Sequence, residues 1–277
     1  MIKQPQARWG ACSRTVLPGS TPYTLACWNN LIAAGLLSGK IITLDATTGI
    51  CTSKLSVDSV CVRSLAFSSD GMSLVSGSDN GIVRLWDIQT GGVVRIFDGH
   101  HTIVWSVSIS PDQTTIASGS GEYTIHLHNA QTGECCCVIR HNNIVNTVSF
   151  SPTNSQLLIS ASHDTTVQQW DINGHKIGPA YTGSYAVFSP DGTHFISWIG
   201  VITVRNSSSG VVITQLQTPS SRVNCCCFSP NGKFVAGANG NIIYIWDITN
   251  SNAHPIKTLV GHTSGVNIFF HPHLIIH

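Results

Sequence analysis

Short stretches in which apolar and polar residues alternate recur along the chain, and turn residues separate them. In VRSLAFS (residues 62–68) the alternation predicts a strand that ends at the Ser-Asp-Gly turn of residues 69–71. MSLVSGS, IVRLWDI and GVVRIF follow as three more strands, separated by Asp-Asn-Gly and Gln-Thr-Gly turns. No segment keeps a 3.6-residue apolar period, so we expect an all-β chain with minimal helix.

The same phrase returns at a nearly fixed period. SGSDNGIVRLWDIQTG (76–91) is echoed in SGSGEYTIHLHNAQTG (118–133) and SASHDTTVQQWDING (160–174), with fainter copies at 33–49, 198–210 and 237–250. The six copies place an acidic or amide residue at the same point: Asp45, Asp87, Asn129, Asp171, Asn206 and Asp247. Successive spacings are 42, 42, 42, 35 and 41 residues. A repeat of this length indicates one supersecondary unit per copy.

The motifs inside each copy resemble those of the WD-repeat β-propeller family: a Gly-His before the first strand, an F-S-P-D-G turn, S-G-S-x-D and then W-D. The resemblance covers nearly the whole chain and implies a β-propeller of four-stranded antiparallel blades. It implies either the propeller part of a NACHT-type receptor or a stand-alone adaptor. The fold alone does not specify an activity.

The resemblance also suggests how the chain is organised. We expect a single domain over residues 1–277, with an N-terminal closing segment at 1–19, six repeats at 20–260 and a partial seventh repeat at 261–277. Because a closed ring leaves no sheet edge unpaired, we expect seven blades, the last built from both termini. The alternative is six full blades plus a partial one.

Four residues of the fourth repeat look like a hydrolase site but have a structural interpretation. His141, Ser160 and Asp164 are the residue types of a catalytic triad. The resemblance implies instead that they form a buried hydrogen-bonded network with Trp170. No G-x-S-x-G motif is present, so we expect no catalytic residue and no enzyme. The third and fifth repeats have His128 and Arg205 in place of the tryptophan, and we expect their blades to open most easily.

Composition argues against two classes of partner. Charged residues make up only 10% of the chain and the formal net charge is +1. A balance this even gives no electrostatic reason to expect nucleic acid or an anionic membrane as partner. It also leaves few ionisable groups to converge on a catalytic centre.

The ten cysteines do not follow a disulfide or zinc-finger pattern. Six of them form the triplets 135–137 and 225–227, and no CxxC pair occurs. The N-terminal residues lack an apolar signal-peptide core, and no segment approaches the ~18 apolar residues of a membrane span. We therefore expect a reducing, intracellular setting, the cytoplasm or alternatively the nucleus, with cysteine used as a small apolar residue.

A second set of polar residues in the third repeat has metal-ligand character. His126 and His128 lie two apart on one strand face, and Cys135 and Cys137 follow on the next strand. Because the cross-strand register is unknown from sequence, these residues do not establish a site. We expect no metal and no cofactor.

The leading functional hypothesis is a non-catalytic protein-interaction scaffold or adaptor. In the family, the residue after the valine that starts each first strand points to the channel mouth on the face where the chain enters that strand, called the top face below. The predicted partner-binding residues are Arg63, Trp105, Asn146, Ser184 and Asn224, with Asp79 and His163 at the rim. We expect protein or peptide partners, no nucleic acid and no membrane, and a monomeric ring or one part of a larger complex. The alternative is a propeller-fold enzyme or ligand sensor with a site in the central channel.

Overall fold

A computed structural model describes residues 20–56, 59–218, 223–250 and 253–260, and all regular structure in these ranges is β-strand. Strands are numbered in chain order. The first blade contains β1 (Pro22–Trp28), β2 (Leu31–Leu36), β3 (Ile41–Asp45) and β4 (Cys51–Leu55). The second contains β5 (Val62–Phe67), β6 (Ser73–Ser78), β7 (Val83–Asp87) and β8 (Val93–Phe97). The third contains β9 (Val104–Ile109), β10 (Thr115–Ser120), β11 (Thr124–Asn129) and β12 (Cys135–Arg140).

The second half of the chain repeats the same order. The fourth blade contains β13 (Val145–Ser151), β14 (Asn154–Ser162), β15 (Thr166–Asp171) and β16 (Lys176–Thr182). The fifth contains β17 (Tyr185–Phe188), β18 (His194–Trp198), β19 (Ile202–Asn206) and β20 (Val212–Leu216). The sixth contains β21 (Cys225–Phe228), β22 (Phe234–Asn239), β23 (Ile242–Asp247) and β24 (Lys257–Val260).

Each blade is a four-stranded antiparallel sheet whose strands pair in chain order, and the six blades form a β-propeller. This confirms the all-β propeller predicted from the repeats. The acidic or amide residue that the six copies share, such as Asp87 or Asn206, ends the third strand of a blade. The closing segment 1–19 and the partial repeat 261–277 lie outside the described residues, so the seventh blade stays a prediction.

The repeated turn residues are explained by local hydrogen bonds. The Asp87 carboxylate accepts bonds from the backbone N–H of Thr90 at 2.6 Å and from its hydroxyl at 2.9 Å, which closes the turn between β7 and β8. In the turn before β6, the Ser68 hydroxyl donates to Asp70 at 2.6 Å and accepts from the Ser73 N–H at 2.9 Å. These contacts account for the repeated Ser-x-Asp-Gly and Asp-x-x-Thr-Gly spacings.

The apolar core lies between neighbouring blades. One cluster joins Leu65 of the second blade to Ala33 and Ile41 of the first, and similar clusters join the second to the third, the third to the fourth, the fourth to the fifth and the fifth to the sixth. Neighbouring blades approach each other most closely where one of them has a glycine. A Cβ on Gly119 would lie 2.7 Å from Cγ1 of Val145 in the next blade.

The third and fifth blades, which have His128 and Arg205 in place of the tryptophan, use other contacts at that position. His128 packs against Phe97 of the second blade with ring centroids 5.4 Å apart. The Arg205 guanidinium lies 5.0 Å from the ring centroid of Tyr181 in the fourth blade. Both substitutes therefore pack on an aromatic ring of the preceding blade, and the expectation that these blades open most easily stays a prediction.

More than half of the described cysteines are buried. Cys27, Cys61 and the triplet 225–227 lie in the interior, where they serve as the small apolar residues expected from sequence. Cys51, Cys135 and Cys136 are exposed instead. In the described ranges no helix is long and apolar enough to cross a membrane.

Candidate functional site

A cavity of about 230 Å³ opens on the top face, where the innermost strands of the six described blades begin. Its wall combines aromatic rings, small apolar side chains and a few polar groups. The lining residues are Tyr23, Thr24, Arg63, Ser64, Leu65, Trp105, Ser106, Asn146, Thr147, Val148, Ser149, His163, Tyr185, Ala186, Val187, Trp198 and Cys226. Four of the seven predicted partner-binding residues are among them: Arg63, Trp105, Asn146 and His163.

A β-bulge places each of the key side chains in this wall. In the second blade Val62 pairs with Ser78 and Ser64 pairs with Gly77, which leaves Arg63 as the extra, unpaired residue. The register skips Trp105 in β9 and Asn146 in β13 in the same way. Because a bulge bends the strand and redirects the extra side chain, the repeated bulge explains why these positions face the channel mouth.

The Arg63 guanidinium is fixed between two rings and a carboxylate. Its Nε and Nη2 donate to the two oxygens of Asp79, the second at 2.9 Å. Its Cζ lies 4.4 Å from the ring centroid of Tyr23 and 5.2 Å from that of Trp105. The hydrogen bonds to Asp79 raise the pKa of Arg63 further above its ordinary value, so the charge is permanent. The Arg63 side chain is therefore a cation in a fixed position, and it remains 19% exposed.

The other predicted residues occupy different positions. Asn146 is buried and its amide donates to the backbone oxygen of Ser184 at 2.9 Å, which ties the fourth blade to the fifth. His163 is exposed at the rim. Ser184 and Asn224 each donate their backbone N–H to the second strand of their own blade, at 2.9 and 2.8 Å. In those two blades the cavity is lined by Tyr185, Ala186, Val187, Trp198 and Cys226. The binding role of all seven predicted residues stays a prediction.

The sequence did not reveal two tyrosines of the cavity wall, Tyr23 and Tyr185. Tyr23 is the bulged residue of β1, equivalent to Arg63 in β5, because Pro22 pairs with Leu36 and Thr24 with Gly35. The first repeat has no valine directly before this position, unlike the repeats that contain Arg63, Trp105 and Asn146, so no motif signalled it. Tyr185 stacks on Trp198 with ring centroids 5.3 Å apart, and burial raises its pKa.

The fourth-blade residues form one connected network away from the cavity wall. The Trp170 indole N–H donates to the Ser160 hydroxyl at 2.7 Å, and that hydroxyl lies 2.8 Å from His141 Nε2. His141 Nδ1 lies 3.1 Å from the Asp164 carboxylate. Burial would raise the pKa of Asp164, but hydrogen bonds from Thr166, the Asn142 backbone and His141 outweigh it and lower the pKa to about 2.

The serine of this network lies inside the blade. Ser160 is fully buried, and its oxygen already accepts the tryptophan N–H. The third blade has a similar network, in which His100 contacts Glu122 at 2.7 Å and the Ser118 hydroxyl at 2.9 Å. In the second blade, Trp86 donates to Ser76 at 2.8 Å. Asp58, which occupies the sequence position of the histidine in this repeat, lies outside the described residues.

Comparison with known proteins places the repeats in a family. The family profile described as "WD domain, G-beta repeat" matches residues 49–87, 91–129, 133–171 and 210–247, more than half of the chain. Protein NEDD1 of Homo sapiens is 28% identical over 93% of this chain and 42% of its own length. Nuclear distribution protein nudF of Aspergillus niger is 25% identical over 76% of this chain and 55% of its own length. Transcriptional corepressor LEUNIG_HOMOLOG of Arabidopsis thaliana is 27% identical over 69% of this chain and 26% of its own length.

The chain thus spans between about a quarter and about half of the length of these curated relatives.

Proposed function

Because the chain belongs to the WD-repeat family, we propose that it is a non-catalytic scaffold or adaptor that binds a protein or peptide at the top-face cavity. The observation that carries the proposal is the wall built from Tyr23, Arg63 and Trp105, each the bulged residue of a different blade. Three neighbouring blades therefore place an arginine between two aromatic rings at one opening.

Residues of these types are the common anchors of protein interfaces. Tryptophan, tyrosine and arginine are enriched among the side chains whose loss costs most binding energy. Asp79 and the two rings hold Arg63 in place before any partner arrives, which reduces the entropy lost on binding. Trp105 is half-buried, so part of its ring remains available for contact. The cavity is thus a pre-organised surface with an aromatic anchor.

The enzyme and ligand-sensor alternatives have less support. The fourth-blade His-Ser-Asp set is held by Trp170 inside the blade, and these residues do not line the described cavity. The cavity, at about 230 Å³, is smaller than the roughly 300–1,000 Å³ typical of small-molecule pockets. An opening of this size suits an apolar or aromatic side chain of a larger partner.

The names of the relatives fit this interpretation. A corepressor, a nuclear distribution protein and NEDD1 are similar to this chain over most of its length. We further propose that this chain acts inside the cell, in the cytoplasm or alternatively the nucleus, as a single ring or as one part of a larger complex.

Site-specific photocrosslinking tests where the partner binds. A benzophenone amino acid replaces His163, an exposed residue of the cavity rim, in the full chain expressed in its native cells. The matched control carries it at Tyr123, which is 46% exposed in a turn of the third blade and does not line the cavity. We expect the His163 position to yield covalent adducts with a defined protein, and the Tyr123 position to yield much less of the same adduct.

A second substitution in the cavity wall tests whether the adduct at His163 reflects specific binding or a chance contact. Adding Trp105→Ala to the His163 probe should remove the adduct, whereas adding Arg95→Ala, an arginine on the outer strand β8, should not. Equal adducts from both probe positions, or an adduct that survives Trp105→Ala and Arg63→Ala, would contradict the assignment of the cavity.

A further inference from the structure

Three side chains with metal-ligand chemistry meet in the third blade, outside the cavity described above. His126 and His128 come from β11 and Cys135 from β12, and one ligand atom from each lies within 4.8 Å of the other two. Imidazole nitrogen and thiolate sulfur are the ligands that Zn²⁺ prefers in proteins. The cluster therefore has the donor atoms that Zn²⁺ prefers. Small side-chain rotations would bring all three atoms within bonding distance of one ion.

The strand register explains why these three residues meet. Cys135 pairs directly with His128, because a register shift between Leu127 and His128 displaces β12 by one residue. Cys137 pairs with Leu127 and packs into the apolar cluster between the third and fourth blades. Of the exposed triplet, only Cys135 therefore belongs to this group of described metal-ligand side chains.

The two histidines carry buried ring nitrogens without hydrogen-bond partners. His128 is 2% exposed, and neither its Nδ1 nor its Nε2 has a hydrogen-bond partner among the described residues. The backbone of Asp98 lies near enough to influence its pKa, but no hydrogen bond of normal geometry forms. His126 is 8% exposed and its Nδ1 is also unpartnered. Since unpaired buried polar groups are costly and rare, three such nitrogens in one cluster require an explanation.

A glycine leaves room beside these nitrogens. A Cβ on Gly99 would lie 2.8 Å from His126 Nδ1 and 3.9 Å from His128 Nε2. The φ of Gly99 is 144°, which side chains rarely adopt, so the space is built into the backbone. The unpartnered nitrogens of the two rings therefore border the same small space above Gly99.

The other nitrogen of His126 faces a carboxylate. Its Nε2 lies 3.7 Å from Glu122 Oε1. The same carboxylate accepts bonds from the His101 backbone N–H at 3.1 Å and the Thr124 hydroxyl at 2.9 Å, and it lies 2.7 Å from His100 Nδ1. Histidines that bind metals through one nitrogen commonly present the other to a carboxylate. Both nitrogens of His100 are already engaged by Glu122 and Ser118, so His100 stays in the blade network.

We propose that His126, His128 and Cys135 form a binding site for a divalent ion of the zinc class. The Cys135 thiol now donates weakly to the Cys137 backbone oxygen at 3.6 Å. Binding converts the thiol to a thiolate and releases one proton to solvent. Three protein ligands leave the fourth position of a tetrahedral ion for water.

The site would also compensate for the missing tryptophan of this blade. His128 occupies the position at which Trp86 and Trp170 donate to a serine in the flanking blades. That hydrogen bond joins the second and third strands of a blade, whereas an ion held by β11 and β12 would connect the third and fourth strands. Metal binding should therefore raise the melting temperature of the whole chain.

Cobalt substitution provides a direct test. The full chain, reduced and stripped of metal with a chelator, is titrated anaerobically with Co²⁺ and then with Zn²⁺. We expect one equivalent of Co²⁺ to give the visible bands of a four-coordinate ion and a sulfur-to-cobalt charge-transfer band, and one equivalent of Zn²⁺ to remove them. Loss of an outer-shell partner weakens metal affinity by about 10–100-fold, so loss of a ligand should weaken it by at least about 100-fold.

Two ligand variants and one control complete the test. Cys135→Ser should abolish the charge-transfer band, and His128→Trp, which restores the residue of the flanking blades, should abolish binding while keeping the chain folded. Cys136→Ser changes the neighbouring exposed thiol and should bind like wild type. An absent charge-transfer band, a band that persists in Cys135→Ser, or equal loss in Cys136→Ser would overturn the proposal.

Discussion

The indole N–H of Trp170 donates a 2.7 Å hydrogen bond to the hydroxyl of Ser160, ten residues earlier on the adjacent strand. Because the Asp164 carboxylate can only accept, His141 Nδ1 carries a proton toward it, and neutral His141 accepts the Ser160 proton on Nε2. Every polar group of the network is thereby satisfied in the interior of the blade. We infer that the network stabilises the fourth blade.

Removing the Trp170 ring should destabilise the chain severely. The side chain is 4% exposed and packs in the cluster between the third and fourth blades. We expect Trp170→Ala to lower the free energy of unfolding by about 3–5 kcal/mol, measured by urea denaturation. Trp170→Phe keeps most of the packing and loses mainly the bond to Ser160, so it should cost much less. A Trp170→Ala chain as stable as wild type would contradict this role.

Replacing His141 should leave two buried groups unsatisfied. His141→Ala removes the partner of both Ser160 and Asp164, and we expect a loss of about 1–3 kcal/mol at neutral pH. Urea denaturation at about pH 7.5 measures it.

The same residue should make stability depend on pH. Burial lowers the pKa of His141 below its ordinary 6.5, against the opposing effect of Asp164 and with a further lowering by Lys176. Below pH 6.5 the unfolded chain therefore binds a proton that the native chain does not, so stability falls as the pH decreases. Asp164, whose pKa is lowered to about 2, adds a further loss below pH 3.8. Between about pH 7.5 and 5.5, wild type should lose more stability than His141→Ala, and parallel curves would contradict this linkage.

A methyl group at Gly119 should disturb the contact between the third and fourth blades. Its Cβ would lie 2.7 Å from Cγ1 of the fully buried Val145. Overpacking of this kind costs about 1–3 kcal/mol, so Gly119→Ala should melt at a lower temperature. Gly92→Ala adds a methyl at an exposed turn, where the nearest atom is 3.4 Å away, and should melt like wild type. Equal melting of both variants would show that the gap between the blades is not tight.

Closure of the ring by the two termini remains a prediction, because a closed ring leaves no sheet edge unpaired. Leu36 and Ile42 of the first blade, and Ala238 and Ile243 of the sixth, form apolar clusters that contain no residue of another described blade. If residues 1–19 and 261–277 complete a seventh blade there, deletion of residues 1–18 should destabilise the whole ring and promote aggregation. Hydrogen exchange should show protection across residues 14–17. Fast exchange there, or a deletion without effect, would favour six blades plus a partial one.

Sequence reasoning located the strands and turns well because their determinants are local. Asp87 bonds to Thr90 three residues later, and Ser68 to Asp70 two residues later, so a single copy of the repeat contains both partners. The predicted strand over 62–68 differs from the observed Val62–Phe67 by one residue.

The parts of the site that sequence did not reveal depend on register. Tyr23 lines the cavity because β1 bulges at that residue, and no motif of the first repeat marks the bulge. Cys135 meets His128 because the pairing of β11 with β12 shifts by one residue. A one-residue shift reverses the face on which a side chain lies, and residue types alone do not specify it.

The affinity of the purified partner for variants of the cavity tests the central claim most directly. The protein identified by crosslinking is titrated calorimetrically against wild type, Trp105→Ala and the exposed-ring control Tyr123→Ala. A loss of at least ~2 kcal/mol, or about 30-fold in Kd, is expected for Trp105→Ala, with no change for Tyr123→Ala. A Trp105→Ala chain that binds as tightly as wild type would show that the top-face cavity is not the binding site.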